Sequence, residues 1–499
     1  MSLRFEHGFL TLALIAQAAS ALADDRFSVR HYEISGAQVD AEVTRPFTGE
    51  NISIEDIQRA SRAVEQRLGK GWKVIIVPDQ DVTDGTVRFQ AILAGHPPIV
   101  SIQDPAKIAD YFTGLQAGMP FDATRARAQA TLYRDMTGDF ARVDVHPEAI
   151  GVGLTLQADQ SIQKTPLRFS AGIDNTGSTE TGWNRLTLTA GHINLWGERH
   201  VGSIAAVLST AQPQDVRVLI GSYRVPLFNQ DAALDFYAAN SRSAISNVNE
   251  LAIRGNGTIL GTRYSRFVAF DSIAGTHQFS VGIEQRKLDS VVSFNDVVLE
   301  ITPDYAMRPL TLAYSYTQAG RFTSSVSFSR GLGGSDADNE TYEQVRYGAK
   351  ANYNILRGSA EALWPLFGGL TGRLAVSGQY TNNALVPGEQ FGLGGTSTIR
   401  GFQEREINND KGYRISAELS KQIEGEHRLI SFLDHGRTSR NAEQPGDPGT
   451  QNVLSVGIGA RVGVRSKWAG GLDFAHVVRG SQITPKGNYR IHFHLAVFF

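Results

Sequence analysis

From about residue 163 to the last residue, apolar and polar side chains alternate one for one in short runs. In the final run Tyr489, Ile491, Phe493, Leu495, Val497 and Phe499 share one face, with Arg490, His492 and His494 on the other. Upstream, Leu454, Val456, Ile458, Ala460, Val462 and Val464 oppose Ser455, Gly457, Gly459, Arg461, Gly463 and Arg465. A period of two marks a strand with two unlike faces. Runs of this kind lie near 167–176, 184–195, 200–210, 214–226, 231–242, 258–271, 276–287 and 307–319. More follow near 321–331, 345–357, 372–383, 411–422, 427–437, 452–465, 468–478 and 488–499. That predicts about sixteen strands, an even number, as a one-chain barrel of a bacterial outer membrane requires. The stretches 243–257 and 289–305 are long enough to shift the count. Arginines on the polar face suit a wet lumen, and a membrane sheet must close on itself so that every backbone group pairs.

Upstream of Gln163 the pattern is mixed. Phe27, Val29 and Ile34 predict a strand ending at Gly36. Ser53, with Asp56 three residues on, predicts a helix start. Ile54, Ile57, Ala60, Val64 and Leu68 supply its apolar face, and Gly69 ends it. Strands Trp72–Val77 and Thr86–Ile92 flank an Asp84-Gly85 turn. A second unit begins at about Pro97: a strand through Ile99, Val100 and Ile102, then a helix capped by Asp122 and running through Ala126, Ala130 and Tyr133. A strand pair, Arg142–Val145 and Val152–Leu156, closes it. Two consecutive units of about 70 residues with the same element order predict a tandem repeat.

Charge is nearly balanced, 48 basic against 50 acidic residues, which offers no argument for nucleic acid. The absence of cysteine excludes disulfides, zinc-thiolate sites and a thiol nucleophile. Arg4, the apolar run Phe9–Ala16 and Ala21-Leu22-Ala23 read as a secretory signal over 1–23. No later run of 18 apolar residues exists, so no transmembrane helix is expected.

Between the strands near 372–383 and 411–422 lies a long connection, about 384–410, which is glycine-dense and carries Ile399-Arg400-Gly401-Phe402. Loops that long in a compact domain are functional or disordered. One strand further on, Phe432, Asp434 and Gly436 share a face that points into the lumen. Two readings are open: Arg400 as a solvated loop charge with Asp434 a turn residue, or Asp434 as the carboxylate partner of the Arg400 guanidinium, with Phe432 as an apolar wall and Gly436 leaving room for loop backbone. His492 and His494 also share a face, but no third ligand is evident, so they read as lumen polar residues and no metal or other cofactor is expected. No Gly-x-Ser-x-Gly elbow, His-Glu-x-x-His pair or phosphate loop is present, and no enzyme is expected.

These motifs resemble those of the POTRA-barrel transporters, and most closely their two-partner secretion translocators of the hemolysin secretion/activation type. The Arg400 segment is similar to that superfamily's Arg-Gly-Phe/Tyr lumenal loop. Asp174, Asn175, Gly177, Gly182 and Arg185 resemble its Asp-Asn-x-Gly…Thr-Gly-x-x-Arg hairpin. Asn194-Leu195-Trp196-Gly197, Tyr223 with Pro226-Leu227, and Phe432-x-Asp434-x-Gly436 resemble later parts of the pattern. Phe499, ending an aromatic strand that also carries Phe493, resembles the outer-membrane assembly signal.

The resemblance implies two small α+β POTRA domains, 24–94 and 95–162, followed by a transmembrane antiparallel β-barrel of about 16 strands over 163–499. It implies an outer-membrane protein with its POTRA domains in the periplasm, where they would hold an unfolded exoprotein by adding it to a sheet edge. Outer-membrane lipid and the barrel-assembly machinery would be further partners. The family often has an N-terminal plug helix. Cleavage after Ala23 would leave only a few residues before Phe27, so that helix is expected to be absent. The alternatives are a barrel-assembly insertase of the same superfamily, a passive porin, or an outer-membrane hydrolase.

Overall fold

The computed structural model describes residues 26–499 apart from 70–71, 77–81, 83, 94–98, 104–107, 116–121, 139–140, 149–150, 159–165, 179–180, 215, 249–250, 271–272, 295–296, 300–302, 335–336, 424, 448 and 465–466. The expected signal segment, and the stretch on which the absence of a plug helix is expected, fall outside the described residues.

The first α+β unit holds β1 (Arg26–Val29), β2 (His31–Ser35), β3 (Gly49–Ser53), α1 (Ile54–Leu68), β4 (Trp72–Ile76) and β5 (Thr86–Leu93). The one strand expected from Phe27 to Gly36 is two. β1 pairs with β3, while β2 runs parallel to β5 in a sheet ordered β2-β5-β4. Gly36 ends β2 at φ +84°, where a Cβ would sit 2.2 Å from the Ala91 carbonyl oxygen. Helix α1 starts with a reciprocal capping box between Ser53 and Asp56, whose bonds hold the Asp56 carboxyl down to about 2. Ile57, Ala60 and Val64 pack on Val74, Val87 and Phe89, whereas Ile54, expected on that face, is exposed in the first turn.

The second unit repeats the plan with β6 (Ile99–Gln103), α2 (Ala123–Thr137), β7 (Ala141–Glu148) and β8 (Gly151–Ala158). Its sheet is ordered β6-β8-β7, with β6 parallel to β8 and β7 antiparallel, the pairing pattern of the first unit. Asp122 caps α2 through the Thr124 and Arg125 amides, and Gly138 at φ +72° closes it. The core around Phe112, Leu132, Tyr133 and Leu156 also takes in Ala233 and Phe267 from the barrel. Buried Gln129 donates to Asp231 at 2.8 Å, Thr113 donates to the Phe228 carbonyl at 3.2 Å, and Arg224 pairs with Asp135. Apolar and polar bonds together therefore dock this unit on one rim of the barrel.

The barrel strands begin with β9 (Leu167–Asp174), β10 (Arg185–Leu195), β11 (His200–Ser209), β12 (Val216–Leu227), β13 (Ala232–Val248), β14 (Leu251–Phe270) and β15 (Ile273–Phe294). Two short strands, β16 (Val297–Leu299) and β17 (Tyr305–Met307), pair along the β15 edge. Then come β18 (Pro309–Gln318), β19 (Phe322–Gly331), β20 (Asn354–Pro365) and β21 (Leu370–Tyr380). A small ribbon, β22 (Phe391–Leu393) with β23 (Ile407–Asn409), interrupts the order before β24 (Lys411–Gln422), β25 (Arg428–Ser439), β26 (Gln451–Val464), β27 (Trp468–Arg479) and β28 (Tyr489–Phe498). Sixteen antiparallel strands close the barrel, with β28 meeting β9.

The stretches 243–257 and 289–305 lengthen β13, β14 and β15 and carry β16 and β17, without adding a full strand. The strand expected over 345–357 lies instead at 354–365, after a short helix α3 (Asn339–Val345) capped by Asp338. Apolar residues at every second position misled here. Ala349, Ala351 and Tyr353 are buried in a rim cluster with Tyr342 and Val386 and do not line a strand face.

Large apolar side chains cover the outside: Ile204 is 66% exposed, Ile458 65% and Leu260 55%. At roughly 25 cal/mol per Å² such a surface is costly in water and is the expected band against lipid. The closing seam has five register pairs between β28 and β9, and the Asn175 side chain extends it. Its carboxamide donates to the Ile491 carbonyl at 2.7 Å and accepts from the Phe493 amide at 2.9 Å, standing in for one residue of ladder. Replacing Asn175 with Ala removes both bonds, a loss of roughly 1–3 kcal/mol for two hydrogen bonds. The temperature at which the folded band converts to the unfolded one on a gel should fall; an unchanged conversion temperature contradicts the seam role.

Candidate functional site

The connection Thr381–Asp410 between β21 and β24 folds back into the barrel on the β22–β23 ribbon. Its tip is shaped by glycine. Gly394 and Gly395 have φ of +111° and +96°, and a Cβ on Gly394 would meet the Gln403 carbonyl oxygen at 2.2 Å. Gly395 N–H donates to the Ile399 carbonyl at 3.1 Å, and Thr396 N–H donates to Glu404 at 2.7 Å. This tight turn delivers Ile399-Arg400-Gly401-Phe402 against the inner wall.

Arg400 and Asp434 meet in a buried fork. The guanidinium Nε donates to Oδ2 at 2.7 Å and Nη2 donates to Oδ1 at 2.8 Å, while the Arg400 backbone N–H adds a third bond at 3.1 Å. Ser416, opposite Asp434 in the β24–β25 register, donates to Oδ1 at 2.6 Å. A carboxylate has about four lone-pair sites, and all are used. The remaining guanidinium edge reaches Glu418 at 2.8 Å, and its carbon lies 3.5 Å from the centre of the Phe432 ring. The pair is sealed, with Arg400 4% and Asp434 0% exposed.

Two neighbouring glycines make room for it. A Cβ at Gly436 would lie 2.6 Å from Leu393 and 3.2 Å from Ile399, so this glycine admits loop side chains, not the loop backbone expected there. A Cβ at Gly457 would strike the Phe432 ring at 2.3 Å. His492 accepts the Gly401 N–H through Nε2 at 2.9 Å. Ile399 and Phe402 pack with Val453 and Val477 on β26 and β27.

The base of the loop is held by a second set of charges that no sequence pattern announced. Buried Glu389 accepts from Arg286 on β15 and the Tyr353 hydroxyl, each at 3.0 Å, and from Arg357 on β20 at 2.5 Å. Gln379 donates to the Glu389 and Asp410 carbonyls at 2.9 and 2.8 Å. Fully buried Asp410 is gripped by Arg346, just after α3, with one bond of 2.7 Å, and also accepts the Leu385 and Asn441 amides. The loop thus forms a beam, footed on β15, β20 and β21 and pinned at its tip to β24, β25 and β28.

Against known proteins, residues 155–462 match the family model described as Haemolysin secretion/activation protein ShlB/FhaC/HecB. The chain belongs to that family. It is 24% identical over 315 residues to the outer membrane transporter CdiB of Dickeya dadantii, a match spanning 60% of this chain and 55% of that relative. The structure superposes on CdiB from Escherichia coli with a TM-score of 0.69 at 17% identity, covering 98% of this chain and 95% of that one. CdiB from Acinetobacter baumannii follows at 0.62 and 15% identity, covering 96% and 91%. As a member of the haemolysin secretion/activation family, this is a two-partner secretion barrel of the bacterial outer membrane.

The β9–β10 hairpin residues of this family member do not join the Arg400–Asp434 anchor. Asp174 accepts from the Thr176 amide at 2.9 Å, and Arg185 donates to the Gly182 carbonyl at 2.7 Å and to the carbonyls of Thr181 and Asn184. Gly177 has no space for a side chain, since a Cβ would meet the Gly182 carbonyl oxygen at 1.8 Å. The hairpin is a stapled turn, and Asn175 belongs to the seam. Phe493 and Phe499 face outward, Phe499 at 76% exposure, and His494 lies apart from the loop anchor that His492 joins. Ser416 was detectable only through register, and Glu389, Asp410 and Arg346 through nothing in the sequence.

Breaking a buried ion pair by removing one partner costs roughly 3–5 kcal/mol. Arg400→Ala and Asp434→Ala should each release the loop tip and expose it to protease in the purified barrel, while the heat-modifiable fold persists. The double change should add little to either single one, because the pair acts as a unit. Additive effects, or a loop that stays protected, would count against the pairing.

Proposed function

We propose that this protein exports an unfolded exoprotein from the periplasm through its barrel. The observation that carries the reading is the union in one chain of a pinned lumenal loop with a small α+β unit docked on one rim. A passive porin needs neither feature, and the family matched is that of secretion proteins and not of insertases.

In this reading the units at 24–94 and 95–162 are POTRA domains that face the periplasm. Among the described residues each sheet ends in an edge strand, on which an extended chain could add. Folding of the emerging exoprotein outside would then draw the rest across. Arg400 and Asp434 set the path by holding the loop against the wall, and Phe493 and Phe499, facing lipid, serve as the recognition signal for the barrel-assembly machinery. No cofactor or bond-making step is involved.

The test is co-expression with candidate exoproteins, large secreted β-helix proteins, scoring each of them in the medium. Removing Asp25–Gln157 should leave a barrel that inserts and converts normally on heating but exports nothing. Export at the normal rate by the truncated barrel would contradict the capture role.

A further inference from the structure

The two halves of the lumen wall differ in what covers them. On the half that bears the loop, the side chains under the loop are sealed: Asp434 and Ser455 are 0% exposed, His492 3% and Gln379 4%, while Glu418 and Arg461 beside them stay partly exposed. On β9–β12 the inward side chains midway along the strands remain open, although Val218 and Ser209 towards one rim are buried. Ser170, Thr189, Ala205 and Ile220 stand in one cross-strand row, with Ser203 and Ser222 in the next. Ser222 is exposed, and the other five are partly exposed.

The charged groups of this face are confined to its ends. Arg168, near the docked unit, donates to the Thr137 carbonyl, and Arg224 binds Asp135 and Asp235. At the other rim Asp174 and Arg185 are taken up by their own turn. Between them the wall offers hydroxyls, methyls and glycine backbone. The loop-bearing wall instead presents fixed carboxylates and guanidiniums, any of which could trap a charged residue in transit.

We propose that the exported polypeptide travels along the β9–β12 wall, opposite the loop. This rests on the transporter reading above. A conducting path must bind weakly and at many equivalent places. Single neutral hydrogen bonds satisfy that requirement, and they are indifferent to the sequence passing by. The loop then acts as the inner boundary of the path, its two ionic feet keeping it off this wall.

The chain has no cysteine, so single cysteines report cleanly. The probe is a cationic methanethiosulfonate reagent applied to Ser203→Cys, Ser222→Cys and, as the covered control, Ser455→Cys. Heat-modifiability first establishes that each variant is folded. The two open-wall thiols should react at least about tenfold faster than the covered one, which is reached only when the loop lifts. Their modification should lower single-channel conductance in planar bilayers and stall export of the co-expressed exoprotein in cells. Equal reactivity at Ser455→Cys, or open-wall modification that leaves export running, overturns the route while leaving the transporter reading intact. An unmodified wild-type barrel that exports nothing removes both.

Discussion

The architecture turns on one buried charge pair, Arg400 with Asp434. A long loop inside a barrel has large conformational entropy to lose, and its apolar contacts alone do not fix its direction. The fork fixes both position and direction, because two parallel guanidinium bonds, the Arg400 amide and the Ser416 hydroxyl converge on one carboxylate. Isolating an ion pair from water is expensive, and here that expense is offset by complete hydrogen bonding and by the Phe432 face beneath the guanidinium. Small residues at 436 and 457 follow as a geometric consequence, since any side chain there would displace Leu393, Ile399 or the Phe432 ring.

The loop is not independent of the far rim. Arg346 binds Asp410 and the Leu385 carbonyl, and α3 brings Tyr342 against Tyr353, Leu385 and Val386. The β19–β20 connection and the base of the lumenal loop therefore share one core, and a movement of either must break apolar and ionic contacts together. The tip, by contrast, packs Ile399 and Phe402 on Val453 and Val477 of β26 and β27, and its direction is set by the Arg400–Asp434 fork. This uneven distribution leaves the tip as the part that a single substitution can release.

Much of the fold was legible because strands in a barrel obey one rule. The alternation of Tyr413, Ile415, Ala417 and Leu419 with Arg414, Ser416, Glu418 and Ser420 places β24 at Lys411–Gln422, where it was expected. The rule fails where an apolar residue has another reason to exist. Ala349, Ala351 and Tyr353 alternate but fill the rim core, which moved the expected strand by about nine residues from β20. In the site, Arg400 and Asp434 stood out through a motif. Glu389 and Arg346 did not, because a buried ion pair between distant strands leaves no local period and can be found only once the barrel brings its walls together.

If the pair positions the loop, loosening one charge must change where the tip spends its time. The direct measurement is a spin-label distance distribution by double electron–electron resonance, from exposed Ser397→Cys at the tip to exposed Glu426→Cys in the β24–β25 turn, in an otherwise cysteine-free chain. The account predicts one narrow distance in the native background and a broad distribution once Asp434→Ala is added. The same narrow distance in both backgrounds would contradict it.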